Sequence, residues 1–153
     1  FSPRTPPPDA RRSLGFNQKD CILINVARLA PPKGQAFLVE AMARLTAQFP
    51  GIRLLFVGDG ELRAELEARR ASLRLEDTVV FLGNRSDIAD LLALSDIFVF
   101  SSVSEGTSLA LLEAMAAAEN VIKIGHGGYQ EGSGCNKCEA LLKIERARKQ
   151  MSK

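Results

Sequence analysis

Residues 96–118 read DIFVF-SSVSEGT-SLALLEAMAAA, and this stretch decides the fold of the chain. Its first five residues are an apolar run that is typical of a buried strand, and a small polar loop follows them. A helix is predicted to begin at Thr107 or Ser108. The unpaired N–H groups and the dipole of a helix start favour phosphate, so the stretch predicts an anion site flanked by Glu105 and Glu113.

Short apolar runs and helical patterns alternate along the whole chain. Apolar runs typical of strands buried in a parallel sheet occur at residues 21–27, 52–57, 78–82, 96–100 and 121–124. Helical spacing is expected at residues 9–14, 35–48, 61–72, 86–94, 108–118 and 139–149. The alternation predicts an α/β fold, a Rossmann-like parallel sheet with helices on both faces.

Charged residues and glycines directly follow the predicted strands. In a parallel sheet the ligand lies at the C-terminal ends of the strands, so residues at these positions should gather at one edge. We therefore expect a binding site formed around Arg28, Lys33, Gly58, Gly83, Glu105 and Gly106.

The composition is that of an ordinary globular domain. The chain has 153 residues, of which 46% are apolar and 25% charged, and its net charge of +2 is too small to indicate a nucleic-acid partner. The odd number of cysteines, 3, disfavours a disulfide framework and favours a reducing cytoplasm. We expect a cytoplasmic protein and leave attachment to a membrane surface open.

Four motifs occur in order along the chain: NVARLAPPKG, LLFVGDGELRAEL, VVFLG and SEGTSLALLEAMA. Together they resemble the C-terminal, donor-binding domain of retaining glycosyltransferases of family 4, also called group 1, which have the two-domain GT-B fold. The resemblance covers residues 21–117 and continues more loosely through NVIKIGHGGYQE. It implies a hexosyltransferase that moves a sugar from a nucleoside diphosphate to an acceptor with retention of the anomeric configuration.

The resemblance also implies roles for individual side chains. Arg28 and Lys33 would bind the diphosphate of the donor. Glu105 would contact hydroxyls of the transferred sugar, and Glu113 would accept hydrogen bonds from the ribose hydroxyls. Catalytic roles are therefore expected at Arg28, Lys33 and Glu105.

Backbone groups are expected to complete the donor site. N–H groups at the helix start would contact the sugar and phosphate, and the backbone of residues 82–85 would line the base. The predicted donor-binding positions are Gly83, Asn84, Gly106, Thr107, Ser108, Leu109 and Glu113.

Neither a metal nor another cofactor is expected in this site. When the nucleoside diphosphate leaves, negative charge develops on its phosphate oxygens. The resemblance implies a class of glycosyltransferases that needs no metal for this step. The planar guanidinium of Arg28 and the compact charge of Lys33 can stabilise that charge instead. The expected partners are a UDP-, GDP- or ADP-sugar donor and an acceptor whose identity the sequence leaves open.

Composition and the limits of the resemblance divide the chain into three regions. Residues 1–19 are rich in proline and predict a linker from an N-terminal acceptor-binding domain, which normally precedes the donor domain in the family. Residues 20–131 are the predicted nucleotide-sugar-binding domain, and residues 132–153 a divergent or truncated tail with one helix. Lys123 departs from the family because it places a charge in a predicted strand.

Several other interpretations stay open. Arg28 and Lys33 could be solvated surface charges rather than phosphate ligands. Nucleotide-sugar 2-epimerases share the two-domain architecture, although the motif EGTSLALLEAMA suits transferases better, and a non-catalytic fragment that only binds a nucleotide is a third alternative. The spacing of Cys135 and Cys138 is that of half a zinc site or of a redox pair. The sequence has only one such pair and one histidine, which disfavours both interpretations.

Overall fold

The computed structural model describes residues 5–101 and 121–123. The strands in this part are Cys21–Val26 (β1), Ile52–Val57 (β2), Val79–Phe81 (β3), Ile97–Phe100 (β4) and Val121–Lys123 (β5). The helices are Ala10–Ser13 (α1), Gln35–Gln48 (α2), Arg63–Ser72 (α3) and Ile88–Leu94 (α4), and a 3₁₀ turn covers Pro31–Lys33. All neighbouring strands are parallel, in the order β3-β2-β1-β4-β5, so the predicted parallel α/β sheet is confirmed.

Side chains of the sheet alternate between two buried faces, as strand geometry requires. Leu23 and Phe56 belong to the apolar cluster that includes residues of α2 and α3. Ile24 and Leu55 belong to a second cluster, which includes residues of α4 and partly buried residues at α1. Because burial of one such side chain stabilises a fold by about 1.5–3 kcal/mol, the helices on both faces hold the sheet in place.

Strand β1 lies at the centre of the sheet. Ile22, Leu23 and Ile24 are each at most 1% exposed, as expected for a strand covered on both faces. The strand pairs with β2 along its whole length, but with β4 only at Leu23↔Ile97 and Ile24↔Phe98. Backbone pairing between β1 and β4 therefore stops before either strand ends.

Helices α3 and α4 begin slightly later than the sequence predicts. The N–H of Leu62 donates to the carbonyl of Leu29 at 3.0 Å, which ties the residue before α3 to the loop after β1. Before α4, Arg85 donates two hydrogen bonds to the carboxylate of Asp87 at 2.8 and 2.7 Å. The carboxylate that would cap the helix is thus engaged by the preceding loop, and no side-chain cap is formed.

The other predicted elements agree with the structure to within one residue at each end. Strand β3 is shorter than predicted, but the flanking residues Thr78 and Leu82 still exchange backbone hydrogen bonds with β2, both at 2.9 Å. The predicted helices at residues 108–118 and 139–149 lie outside the described residues.

Among the described strands, β5 is the last in the sheet order, and it pairs with β4. Lys123 is the register partner of Phe100 on this strand. The residue that departs from the family pattern therefore lies beside the C-terminal end of β4.

The segment before β1 is attached to the sheet by Arg11 and Asp96. Arg11 donates to Asp96 Oδ1 at 2.8 Å and to the backbone carbonyl of Asp20 at 2.8 Å. The second carboxylate oxygen of Asp96 accepts the N–H of Ile22 at 2.8 Å. The side chains of Arg11 and Asp96 are only 17% and 22% exposed, so water screens this charged link less than a surface ion pair.

We predict that Asp96→Ala lowers the free energy of unfolding by about 2–3 kcal/mol, because it leaves a backbone N–H and a guanidinium without their acceptor. Asp9→Ala is the matched control, since the Asp9 carboxylate is 83% exposed and lies 3.8 Å from Arg12. We expect that change to cost less than about 0.5 kcal/mol. Urea unfolding at neutral pH measures both, and equal losses would contradict the prediction.

Candidate functional site

The order of the strands reverses at β1. From β1 the chain moves outward to β2 and β3, and it then returns to the other side of β1 as β4. In open parallel sheets the ligand lies in the crevice beyond the C-terminal ends of the two strands at such a reversal. The topology therefore points to a site beyond Val26 of β1 and Phe100 of β4.

The crevice that this topology predicts begins where backbone pairing between β1 and β4 stops. Just past the last pair, the side-chain amide of Asn25 donates to the carbonyl of Val99 at 2.8 Å. Asn25 is only 2% exposed, and within residues 5–101 and 121–123 its Oδ1 atom has no hydrogen-bond partner. A buried side chain thus joins the two strands at the base of the crevice.

Arg28 lies in the loop after β1 with its side chain 68% exposed. Its Nη2 atom is 3.7 Å from Glu61 Oε2, a loose surface ion pair that an anionic ligand can displace. Its backbone is held differently, because the carbonyl accepts a hydrogen bond from Gln35 Nε2 at 2.8 Å. The guanidinium is therefore accessible while its main chain is fixed by a buried residue.

Lys33 ends the 3₁₀ turn of the same loop and lies next to the end of β4. Its carbonyl accepts a hydrogen bond from Ser101 Oγ at 2.6 Å, and Ser101 is only 4% exposed. The next residue, Gly34, has φ +68°, and a Cβ atom there would lie 2.3 Å from the Ser101 carbonyl oxygen. The loops after β1 and β4 are therefore in direct contact.

Gly58 and Gly83 bring the ends of β2 and β3 to the same edge. Gly58 donates its N–H to the carbonyl of Gly83 at 2.8 Å. Its φ is +125°, and a Cβ atom there would lie 2.1 Å from the carbonyl oxygen of Ala27. Asn84, which follows Gly83, is exposed. These contacts connect the C-terminal ends of β1, β2 and β3.

The described members of the predicted site thus lie along one edge of the sheet. The remaining predicted site residues lie outside the described residues: Glu105, Gly106, Thr107, Ser108, Leu109 and Glu113. The functional roles of both groups stay predictions.

Asp59 stabilises the turn between β2 and α3 by two hydrogen bonds. Its Oδ1 atom accepts the N–H of Gly60 at 2.8 Å, and its Oδ2 atom accepts from Arg63 Nη1 at 2.9 Å. The Gly60 N–H and the Arg63 guanidinium lower the pKa of Asp59 below its ordinary value of 3.8. Arg63 also donates to Glu67 Oε1 at 3.0 Å, and these partners raise its pKa.

The sequence patterns did not indicate two residues that contact the loop after β1, Gln35 and Ser101. Gln35 is fully buried, at 0% exposure. Its spacing contains a signal, because Gln35 precedes Leu38 and Val39 by three and four residues and therefore lies on the apolar face of α2. For Ser101 the only signal in the sequence is its position directly after a buried strand.

Two kinds of feature are absent from the described residues. Among residues 5–101 and 121–123, no three His, Cys, Asp or Glu side chains are grouped so that they could hold a metal ion. In the same part of the chain, no helix combines the length and the apolar character needed to cross a membrane.

The family model described as "Glycosyl transferases group 1" matches residues 8–151. The chain belongs to this family. A GDP-mannose-dependent phosphatidylinositol monomannoside mannosyltransferase of Corynebacterium glutamicum is 34% identical over 142 residues, which cover 86% of this chain and 37% of the relative. The chain spans about a third of the length of the curated relatives that it matches.

Solved structures agree with a GT-B group 1 glycosyltransferase domain. Anabaena HepE in complex with UDP and glucose is 31% identical and superposes with a TM-score of 0.67, covering 74% of this chain and 31% of HepE. The C-terminal domain of the group 1 protein LpcC from Francisella tularensis superposes with a TM-score of 0.76 at 21% identity. The superposition covers 97% of this chain and 85% of the LpcC domain. The LpcC likeness shows the fold alone.

We predict that Gly58→Ala destabilises the domain by more than about 3 kcal/mol, because it combines a strained φ with a clash against the Ala27 carbonyl. Gly15→Ala is the matched control. Gly15 also has positive φ, +81°, but a Cβ atom there would meet nothing within 4 Å, so we expect a loss of about 1 kcal/mol. Chemical unfolding distinguishes them, and a Gly58→Ala loss no larger than the control would refute the clash.

We also predict that Asp59 contributes stability at neutral pH and loses this contribution in acid. Its folded pKa is depressed, so the contribution is present above the ordinary value of 3.8 and disappears as the pH falls through the lower folded value. The melting temperature of Asp59→Asn should therefore lie below that of the wild type at pH 7 and approach it below pH 3.8. A difference that does not change with pH would contradict this.

Proposed function

We propose that this chain binds the nucleotide-sugar donor of a retaining hexosyltransferase, and that the whole protein moves the sugar to an acceptor bound on a second domain. The observation that carries the proposal is the loop after β1. It brings Arg28 and Lys33 to the crevice where the strand order reverses, and Ser101 joins it to the end of β4. Two cations at this position are suited to a diphosphate.

The exposure and the fixed backbone of Arg28 support this assignment. Its guanidinium is opposed by Glu61 at 3.7 Å, so a diphosphate can replace that acid with shorter, charge-assisted hydrogen bonds. Gln35 and Ser101 hold the backbone carbonyls of Arg28 and Lys33. Cations on a fixed backbone need less reorganisation when charge develops on the ligand.

The proposed reaction breaks the bond between the anomeric carbon and the diphosphate oxygen. The electron pair of that bond leaves with the nucleoside diphosphate, where Arg28 and Lys33 stabilise the added negative charge. A hydroxyl of the acceptor forms the new bond to the anomeric carbon on the same face and passes its proton to the departing diphosphate oxygen. We propose no metal for this step, because the two side chains supply the positive charge.

The family resemblance supports further contacts in the same site. Glu105 would bind hydroxyls of the transferred sugar, Glu113 the ribose, and the backbone near Gly83 and Asn84 the base. The base itself is left open, because one relative is GDP-mannose-dependent and one similar structure contains UDP. Membership of the glycosyltransferase family favours transfer over epimerisation.

We predict that at least one of UDP, GDP and ADP raises the melting temperature of the chain, because binding to the native state alone stabilises it. Arg28→Ala and Lys33→Ala should each weaken the affinity for that nucleotide about tenfold or more, since each removes a charged partner of the diphosphate. Thermal shift identifies the nucleotide, and isothermal titration calorimetry measures its affinity.

Arg12→Ala is the control for general charge effects, because Arg12 is 81% exposed and belongs to α1, outside the loop after β1. It should leave the affinity unchanged. Absence of a shift with all three nucleotides, or an equal loss in all three variants, would overturn the proposed site.

A further inference from the structure

The two proposed phosphate ligands lie on one short loop, residues 28–34, here called the cation loop. Its sequence, RLAPPKG, contains two adjacent prolines, which have no N–H to donate. Its internal hydrogen bonds include one of ordinary length, from Lys33 N–H to Ala30 at 3.0 Å, and a long one, from Gly34 N–H to Pro31 at 3.5 Å. Contacts with residues outside the loop therefore matter for its position.

Gln35 closes the cation loop at its base. This residue begins α2, directly after the loop, and its side-chain amide reaches back to the carbonyl of Arg28 at 2.8 Å. It is 0% exposed, so the donor of that hydrogen bond is shielded from water. One buried side chain thus joins the first residue of the loop to the residue that directly follows it.

Ser101 connects the closed loop to β4. Its hydroxyl donates to the carbonyl of Lys33 at 2.6 Å, and its own backbone carbonyl packs against Gly34. Ser101 is 4% exposed, and it directly follows the strand on the other side of the crevice. This contact sets the position of the loop relative to the neighbouring strand.

We infer that Gln35 and Ser101 are positioning residues for the diphosphate, each holding the main-chain carbonyl of one of the two cations. The inference rests on the proposed function. The two buried side chains fix the points from which the Arg28 and Lys33 side chains extend toward the ligand. Loss of either hydrogen bond lets the loop shift, and small displacements of charged groups weaken binding of a rigid polyanion.

The test separates the diphosphate from the rest of the nucleotide. For whichever nucleoside diphosphate binds the full chain, NMR titration measures its dissociation constant and that of the free nucleoside. The diphosphate increment is the dissociation constant of the nucleoside divided by that of the nucleoside diphosphate. We expect Ser101→Ala and Gln35→Leu each to reduce this increment about three- to tenfold, with the affinity for the nucleoside unchanged.

Ser95→Ala is the matched control. The Ser95 hydroxyl also donates to a backbone carbonyl, that of Leu91, at 2.7 Å, but it precedes β4 and lies outside the cation loop. This variant should keep the full increment. Circular dichroism confirms that each variant is folded, and if Ser101→Ala does not fold, Gln35→Leu tests the loop at its other end.

The outcomes distinguish the inference from the proposed function. If the wild type binds the diphosphate and both variants keep the full increment, Gln35 and Ser101 have only a structural role and the inference is wrong. The inference is also wrong if the variants lose affinity for the nucleoside and for the nucleoside diphosphate by the same factor. If the wild type binds none of the three nucleoside diphosphates, the proposed function fails, and the inference fails with it.

Discussion

Burial of β1 between two parallel neighbours is the constraint on which the described structure depends. A strand covered on both faces must satisfy its backbone groups through the strands beside it, because water cannot reach them. The β1–β2 ladder does so along the whole strand, whereas the β1–β4 ladder ends at Ile24↔Phe98. The buried amide of Asn25 continues the connection by donating a hydrogen bond to Val99, and the crevice that we propose as the donor site begins there.

Close backbone contacts at the C-terminal edge follow from this arrangement. Gly58 packs on the Ala27 carbonyl and Gly34 on the Ser101 carbonyl, at separations where any Cβ atom would clash. Glycine is required at both positions because the conformations have positive φ and because another backbone occupies the space. The position of the cation loop, which carries Arg28 and Lys33, is therefore set by packing against neighbouring strands. The rigid part of the site is main chain, and the charged side chains extend from it.

Much of this fold could be predicted, since its local signals are strong. The limits of α2 and β2 agree with the predicted ones, because Gly34 precedes the helix and Pro50 and Gly51 separate it from the strand. The start of α3 was misplaced, because a hydrogen bond from Leu62 to the distant Leu29 determines it. In the candidate site, charge and position after a strand predict Arg28 and Lys33, and both lie in the loop after β1. Gln35 was missed although its place on the apolar face of α2 is a signal, and Ser101 was missed because only its contact with Lys33 distinguishes it.

Residue patterns along the chain specify which segments are buried strands, where helices alternate with them, and that cations and glycines follow the strands. Periodicity and chain-breaking residues act over a few positions and can be read locally. The order β3-β2-β1-β4-β5, and with it the set of loops that meet at the crevice, arises from tertiary packing. The hydrogen bond from Ser101 to Lys33 exists because β4 returns to the side of β1. That return depends on pairing and packing between residues far apart in the chain, which no local pattern specifies.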